Sequence, residues 1–195
     1  MRELVFATSN PNKIKEVQSK LDSENFDLQI LPVPQPFNPD ENGKDFLANS
    51  YIKAYEAAKI TGKIAFADDT GLCVKALNGR PGIYSARYAN ENESKIKKLL
   101  GELKEVKTLE DREAYFACAI TVVAPNGETL FSYQSQFNGY IDFEPKGKQG
   151  FGYDPIFYIK ELNKTLAELS TEEKNQISHR ALALKEFMNW LEIES

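Results

Sequence analysis

Four apolar residues, Ile64-Ala65-Phe66-Ala67, run straight into two adjacent carboxylates, Asp68-Asp69, and then into Thr70-Gly71-Leu72. That junction constrains the fold more than any other stretch. A short, uninterrupted apolar run bounded by turn-forming residues reads as a buried strand. Two carboxylates packed at its end are costly unless positive charge sits against them. The spacing predicts a strand over 64–67 whose C-terminal end faces a ligand, because ligands of open α/β sheets gather at such ends. An acidic turn capped by Asp68 is the plainer alternative.

The rest of the chain alternates in the same way. Leu4 to Thr8 reads as a second buried strand, followed by Ser9-Asn10-Pro11-Asn12-Lys13 and a helical pattern with Ile14, Val17 and Leu21 on one face. Asn10 suits the N-cap and Pro11 the first helical position. A proline-rich link, Leu31 to Pro39, leads through Asp40-Glu41-Asn42-Gly43 to a helix over 45–60 closed by Gly62. Asn78 to Gly82 reads as a loop, and Glu93 to Leu103 as a charged helix. Two strand-like runs, 114–124 and 129–137, flank Pro125-Asn126-Gly127, which predicts a hairpin. A glycine-rich loop from Gly147 to Asp154 precedes the apolar run Pro155 to Ile159. Ser170 and Glu173 have capping-box spacing for a short helix, and Ser178 opens a last amphipathic helix through Trp190. The sum is an α/β chain with a mixed sheet.

Composition narrows the function classes. A chain of 195 residues with 42% apolar and 27% charged residues can bury a sizeable core. A net charge of −5 disfavours a nucleic-acid duplex as partner, yet local lysines can hold a small phosphorylated ligand. Cys73 and Cys118 have no metal-ligand spacing and are expected to be reduced core thiols. The N-terminus is too short in apolar residues for a secretory signal, and no run approaches the ~20 residues of a membrane span. The cytoplasm is the expected compartment.

Five clusters could carry chemistry. The helix start at Thr8 to Lys13 offers backbone N–H groups and one ammonium to an anion, without the glycines of a Walker loop. Asp68 and Asp69 suit Mg2+ beside a polyphosphate. Glu41 could add a carboxylate, while Asn49 and Lys53 share one helix face. Phe151, Gly152, Tyr153 and Asp154 place two aromatics among small residues where a base could stack. Lys174, Ser178, His179 and Arg180 form the last cluster; with a single histidine the chain assembles neither a nucleophilic triad nor a zinc site.

Taken in order, these segments resemble the inosine triphosphate pyrophosphatase family, the non-canonical purine nucleoside triphosphate pyrophosphatases. The resemblance covers nearly the whole chain. It runs through Ala7 to Lys13, Phe46 with Asn49 and Lys53-Ala54, Ala67 to Leu72, Pro81 to Tyr88, Gly150 to Phe157, and Glu172-Glu173-Lys174 with Ser178 to Ala181. It implies one pyrophosphatase domain over 1–195, an elongated mixed sheet flanked by helices in two lobes, substrate in a central cleft, and a homodimer. It implies Mg2+-dependent cleavage between the α and β phosphates of ITP, dITP and XTP. By position, Thr8, Ser9, Asn10, Pro11, Asn12, Lys13 and Lys53 would hold phosphates. Glu41, Asp69 and Asp68 would serve the metal, Asp69 would also activate water, and Thr70 would touch substrate. Phe151, Gly152, Tyr153, Asp154, Lys174, His179 and Arg180 would surround the base. Three positions depart from the family pattern: Thr70 for serine, Asp45 for threonine and Ala48 for glutamate. A related pyrophosphatase of the Maf type, acting on modified pyrimidine nucleotides, and a nucleotide-binding regulator without catalysis are the rivals. Ser178-His179-Arg180 argues against the first, and the retained Glu41 and Asp69 against the second.

Overall fold

The computed structural model describes residues 2–89 and 94–193. The strands are β1 (Arg2–Phe6), β2 (Leu28–Pro32), β3 (Ala65–Val74), β4 (Glu113–Val123), β5 (Thr129–Ile141), β6 (Phe157–Ile159) and β7 (Lys164–Thr165). The helices are α1 (Pro11–Ser23), α2 (Phe46–Thr61), α3 (Lys95–Glu102), α4 (Thr171–Ile177) and α5 (His179–Ile193). The strand order is β2-β1-β3-β4-β5-β6-β7. β1 is parallel to β2 and β3, whereas β5, β6 and β7 pair antiparallel, so the sheet is mixed, as expected. The chain divides into two compact units, the first with residues 2–69, 118–135 and 180–193, the second with 70–117 and 136–179.

In the first unit β1 from Leu4, β3 and β4 are buried on both faces, and alternation assigns each residue to a layer. Leu4, Phe6, Phe66, Cys118, Ile120 and Val122 pack with Val17 and Leu21 of α1 and with Ala183, Leu184, Phe187 and Leu191 of α5. Phe66 stacks between Phe6 at 4.5 Å and Phe187 at 5.0 Å. The opposite face is small: Val5, Ala7, Ala65, Ala67 and Val123 meet Ala54, Ala57 and Ala58 of α2. α2 can lie close to the sheet because both surfaces carry little more than Cβ atoms. Asp45 caps it, accepting the Ala48 N–H at 2.8 Å, so this departure from threonine preserves the capping role. Gly62 closes it in the left-handed conformation, as predicted. The hairpin turn is also as expected, with the Gly127 N–H on the Ala124 carbonyl at 2.9 Å.

The second unit packs Leu72, Val74, Phe116, Ile141 and Phe157 from the sheet against Leu99 and Leu103 at α3, with Tyr153, Ile156 and Leu166. Buried Arg112 ties it together, donating to the carbonyls of Leu103, Val106 and Asp142 at 2.9–3.1 Å. The capping box of α4 is complete, Ser170 and Glu173 each accepting the other's backbone N–H. Both cysteines are buried, and neither is in a disulfide.

Several expectations need correction. The strand expected to stop at Ala67 continues to Val74, so Asp68 and Asp69 lie within a strand rather than at its end. Cations supplied by other elements make that possible, and a local reading of Asp-Asp-Thr-Gly has no access to them. β2 occupies residues assigned in part to the proline-rich link, and β5 runs on to Ile141. Ile14 is exposed, unlike Val17 and Leu21. α5 reaches Ile193, beyond Trp190. Glu93, the predicted start of the charged helix, lies outside the described residues; Ser94 caps α3.

Candidate active site

The predicted residues fall into two groups, one in each unit. In the first unit, strand alternation turns Asp68 and Asp69 to opposite faces of β3. Asp69 continues the face of Ala65 and Ala67, towards α2. Its Oδ1 accepts from Lys53 Nζ at 2.8 Å and its Oδ2 from Asn49 Nδ2 at 3.4 Å. Glu41 Oε2 lies 3.4 Å from the same ammonium, so two carboxylates share one lysine. Asn49, fully buried, also accepts the Gly43 N–H at 2.8 Å and so ties the Glu41 loop to the Asp69 carboxylate. A Cβ at Gly43 would stand 2.6 Å from Asn49 Oδ1 and 2.8 Å from the Ala48 Cβ, so the loop approaches α2 only as glycine. Burial raises the Asp69 carboxyl above the ordinary aspartate value despite Lys53. Burial opposes the Lys53 charge, but Asp69, Asp68 and Glu41 outweigh it and hold the ammonium above the usual lysine value.

Asp68 continues the Phe66 face, towards α1 and α5. It meets Lys13 Nζ at 2.9 Å and Arg180 Nη2 at 3.1 Å, and Arg180 also pairs with Glu16. Burial would raise the Asp68 carboxyl, yet Lys13 and Arg180 hold it well below the usual carboxylate range. Burial likewise works against the Arg180 charge, and Asp68 with Glu16 overcomes it. Asp68 is thus engaged by Lys13 and Arg180, on the face of β3 opposite to Asp69. The Thr8 to Lys13 segment forms the expected strand-to-helix turn: Thr8 Oγ1 accepts the Asn10 N–H at 3.1 Å, and Asn10 caps α1 through the Asn12 N–H at 3.0 Å. Ser9, Pro11 and Asn12 are exposed on it.

The second unit holds Thr70, half-buried in β3, and the glycine-rich loop. Asp154 organises that loop: its Oδ2 accepts the Phe151 N–H at 2.9 Å and Lys174 Nζ at 2.8 Å. Lys174 Nζ lies 5.1 Å from the centre of the Phe151 ring. Gly152 is exposed and Phe151 half-buried, whereas Tyr153 is buried, its hydroxyl on the Ser85 carbonyl at 3.1 Å. His179 is buried and stacks on Phe116 at 4.5 Å. Glu16, Ser85 and the double role of Asn49 were not foreseen. Only Asn49 carried a signal, its four-residue spacing from Lys53.

Among the described residues no group of three or more histidine, cysteine or acidic side chains could alone hold a metal. Mg2+ does not require one, since it is commonly held by one or two carboxylates plus substrate phosphates. Glu41 and Asp69, hard oxygen donors already gathered round one cation, fit that pattern.

A family model, the Ham1 family, matches residues 4–190. The chain belongs to the Ham1 family. It is 46% identical over 189 residues to the dITP/XTP pyrophosphatase of Bacillus licheniformis, with 95% of each chain covered. It is 44% identical over 196 residues to that of Bacillus subtilis, with 98% of each covered. Among solved structures, the HAM1 protein of Coxiella burnetii matches over 100% of both chains with a TM-score of 0.88 at 40% identity. The Ham1 protein of Staphylococcus aureus does so with a TM-score of 0.86 at 41% identity. The Ham1 match thus includes both the Lys53 cluster and the Asp154 loop.

Proposed function

We propose that this Ham1-family chain is one pyrophosphatase domain that hydrolyses dITP, ITP and XTP to the monophosphate and pyrophosphate. The observation that carries the proposal is the buried Asp69 carboxylate, held 2.8 Å from Lys53 with Glu41 on the same ammonium, in a chain 46% identical over 95% of its length to a dITP/XTP pyrophosphatase. Water attacks the α phosphorus, its proton passes to an Asp69 oxygen, and the bond to the bridging oxygen breaks to release pyrophosphate. Lys53 and Lys13, with the turn from Thr8 through Ser9, Asn10, Pro11 and Asn12, take the phosphates, and Thr70 contacts the substrate. Glu41 and Asp69 hold Mg2+, which when bound supplies positive charge against the triphosphate and its leaving group.

The base group comprises Phe151, Gly152, Asp154, Lys174, His179 and Arg180, with Phe151 as the stacking surface and Lys174 as a donor. A donor aimed at a purine keto oxygen is left unpaired by adenine, which can discriminate by up to about 10⁴-fold in a dedicated site. A cytoplasmic homodimer is the expected form, and among the described residues no helix is long and apolar enough to cross a membrane. The test is pyrophosphate release from ITP, XTP, dITP, ATP, GTP and UTP, each with and without Mg2+. Mg2+-dependent release confined to the inosine and xanthine forms is expected. Equal release from all would remove the selectivity, and no release would remove the enzyme.

A further inference from the structure

The glycine-rich loop carries two aromatic residues, and the structure separates their roles. Tyr153 is 4% exposed and packs in the apolar cluster with Leu72, Ile156 and Phe157, so its ring offers no face to a ligand. Its hydroxyl reaches the Ser85 carbonyl at 3.1 Å. Ser85 is itself fixed: its Oγ accepts the Leu72 N–H at 2.8 Å and donates to the Gly82 carbonyl at 2.6 Å. Leu72 lies in β3, three residues after Asp69. On the other side of Tyr153 stands Asp154, whose carboxylate holds the Phe151 N–H and Lys174. Gly150 closes the turn with φ of +73°, and a Cβ there would stand 2.1 Å from Asp154 Oδ2. Hydrogen bonds and adjacent residues therefore lead from β3 through Ser85, Tyr153 and Asp154 to Phe151 and Lys174.

We infer that Tyr153 is a positioning residue rather than a substrate contact: its hydroxyl anchors the 147–154 loop to the turn Gly82–Arg87 and thereby fixes where Phe151 and Lys174 are presented. This rests on the proposed base-binding role of Phe151 and Lys174. The phenol is suited to the task. Burial first, then Tyr88 and Glu102, push its ionisation far above the ordinary tyrosine value, so it remains a donor. A loop that loses one anchor spends less time in the binding arrangement, and apparent affinity falls by the fraction lost. The loss should reach the base alone, because the anchored segment carries no proposed phosphate ligand.

The test compares binding of inosine monophosphate, which has a base, with inorganic tripolyphosphate, which has none, by titration calorimetry on the full chain. Tyr153→Phe removes only the hydroxyl and is expected to weaken inosine monophosphate about three- to tenfold, the range for one lost neutral hydrogen bond, with tripolyphosphate unchanged. Unchanged inosine monophosphate binding, or equal weakening of both ligands, overturns the inference. Ile159→Val, a buried change elsewhere in the same unit, tests for general loosening; if it moves the ratio of the two affinities as Tyr153→Phe does, the anchor role falls. Phe151→Ala separates the two levels. Selective weakening by Phe151→Ala with a silent Tyr153→Phe defeats only the anchor, whereas non-selective weakening by Phe151→Ala defeats the base pocket and the anchor with it.

Discussion

Asp69 and Asn49 show how much chemistry a buried polar side chain can organise. Asp69 has a lysine on one oxygen and an asparagine on the other, so its orientation is set before any ligand arrives. Asp69→Asn keeps the shape and removes the carboxylate proposed as the base. Turnover at saturating ITP is expected to fall about 10²- to 10⁴-fold with little change in nucleotide affinity, which stopped-flow and titration would separate. Asn49→Ala leaves the Gly43 N–H and the Asp69 carboxylate without their shared partner. The Mg2+ concentration giving half-maximal activity is expected to rise at least tenfold, within the roughly 10–100-fold range for residues that orient metal ligands. An unchanged Mg2+ requirement would mean that Asn49 serves only the fold. Asp69, Lys53 and Glu41 stood out in the sequence as residue types. The sequence also offered Glu41 and Asp69 to one metal; their shared contact on Lys53 was not legible, because it depends on α2 lying against β3.

At the scale of elements, the layer between α2 and the sheet is built from alanines. Ala54, Ala57, Ala58, Ala65 and Ala67 are all fully buried, leaving no room for a larger side chain. Ala57→Leu is expected to lower stability by about 1–3 kcal/mol, read as a shift in denaturant midpoint at constant slope. Because α2 carries Asn49 and Lys53, the same change should lower turnover, which a purely global loss of stability would not do in the folded enzyme. The helix itself was legible from its cap and closing glycine. The length of β3 was not: Thr70-Gly71 has turn chemistry, and only pairing within the sheet keeps the chain extended through it. Likewise β2 hides among prolines, since its parallel pairing with β1 over Arg2–Phe6 is a non-local fact.

For the molecule as a whole, the alkaline limb of stability draws in part on three acids in the second unit. Burial pushes the Cys73 thiol up, raises Tyr153 well beyond the ordinary tyrosine range, and with Glu102 raises Tyr88 to about 12. Each keeps its proton in the folded chain at a pH where the unfolded chain has lost it. The folded state therefore binds more protons, and stability falls as pH rises from the ordinary thiol and tyrosine values towards 12. Denaturant midpoints between pH 8 and pH 12 should decline, and Tyr88→Phe, which removes the hydroxyl hydrogen bond to Glu102 at 2.8 Å, should make the decline shallower. An unaltered slope in that variant would show that Tyr88 titrates alike in both states.

The sequence by itself determined the α/β class, the capped helices, the hairpin and the family, because caps, turns and apolar periods act over a few residues and the motifs recur in fixed order. It also determined which residue types were available for chemistry. The tertiary structure alone decided how they were partitioned. β3 runs through its two carboxylates, so alternation sends Asp69 to Lys53 and Asp68 to Lys13 and Arg180. Burial likewise separates the two loop aromatics: Tyr153 packs in the core with its hydroxyl on the Ser85 carbonyl, and Phe151 is left half-buried. Those outcomes depend on which face of a strand meets which helix, and on charges brought together from distant parts of the chain, so no local pattern could express them.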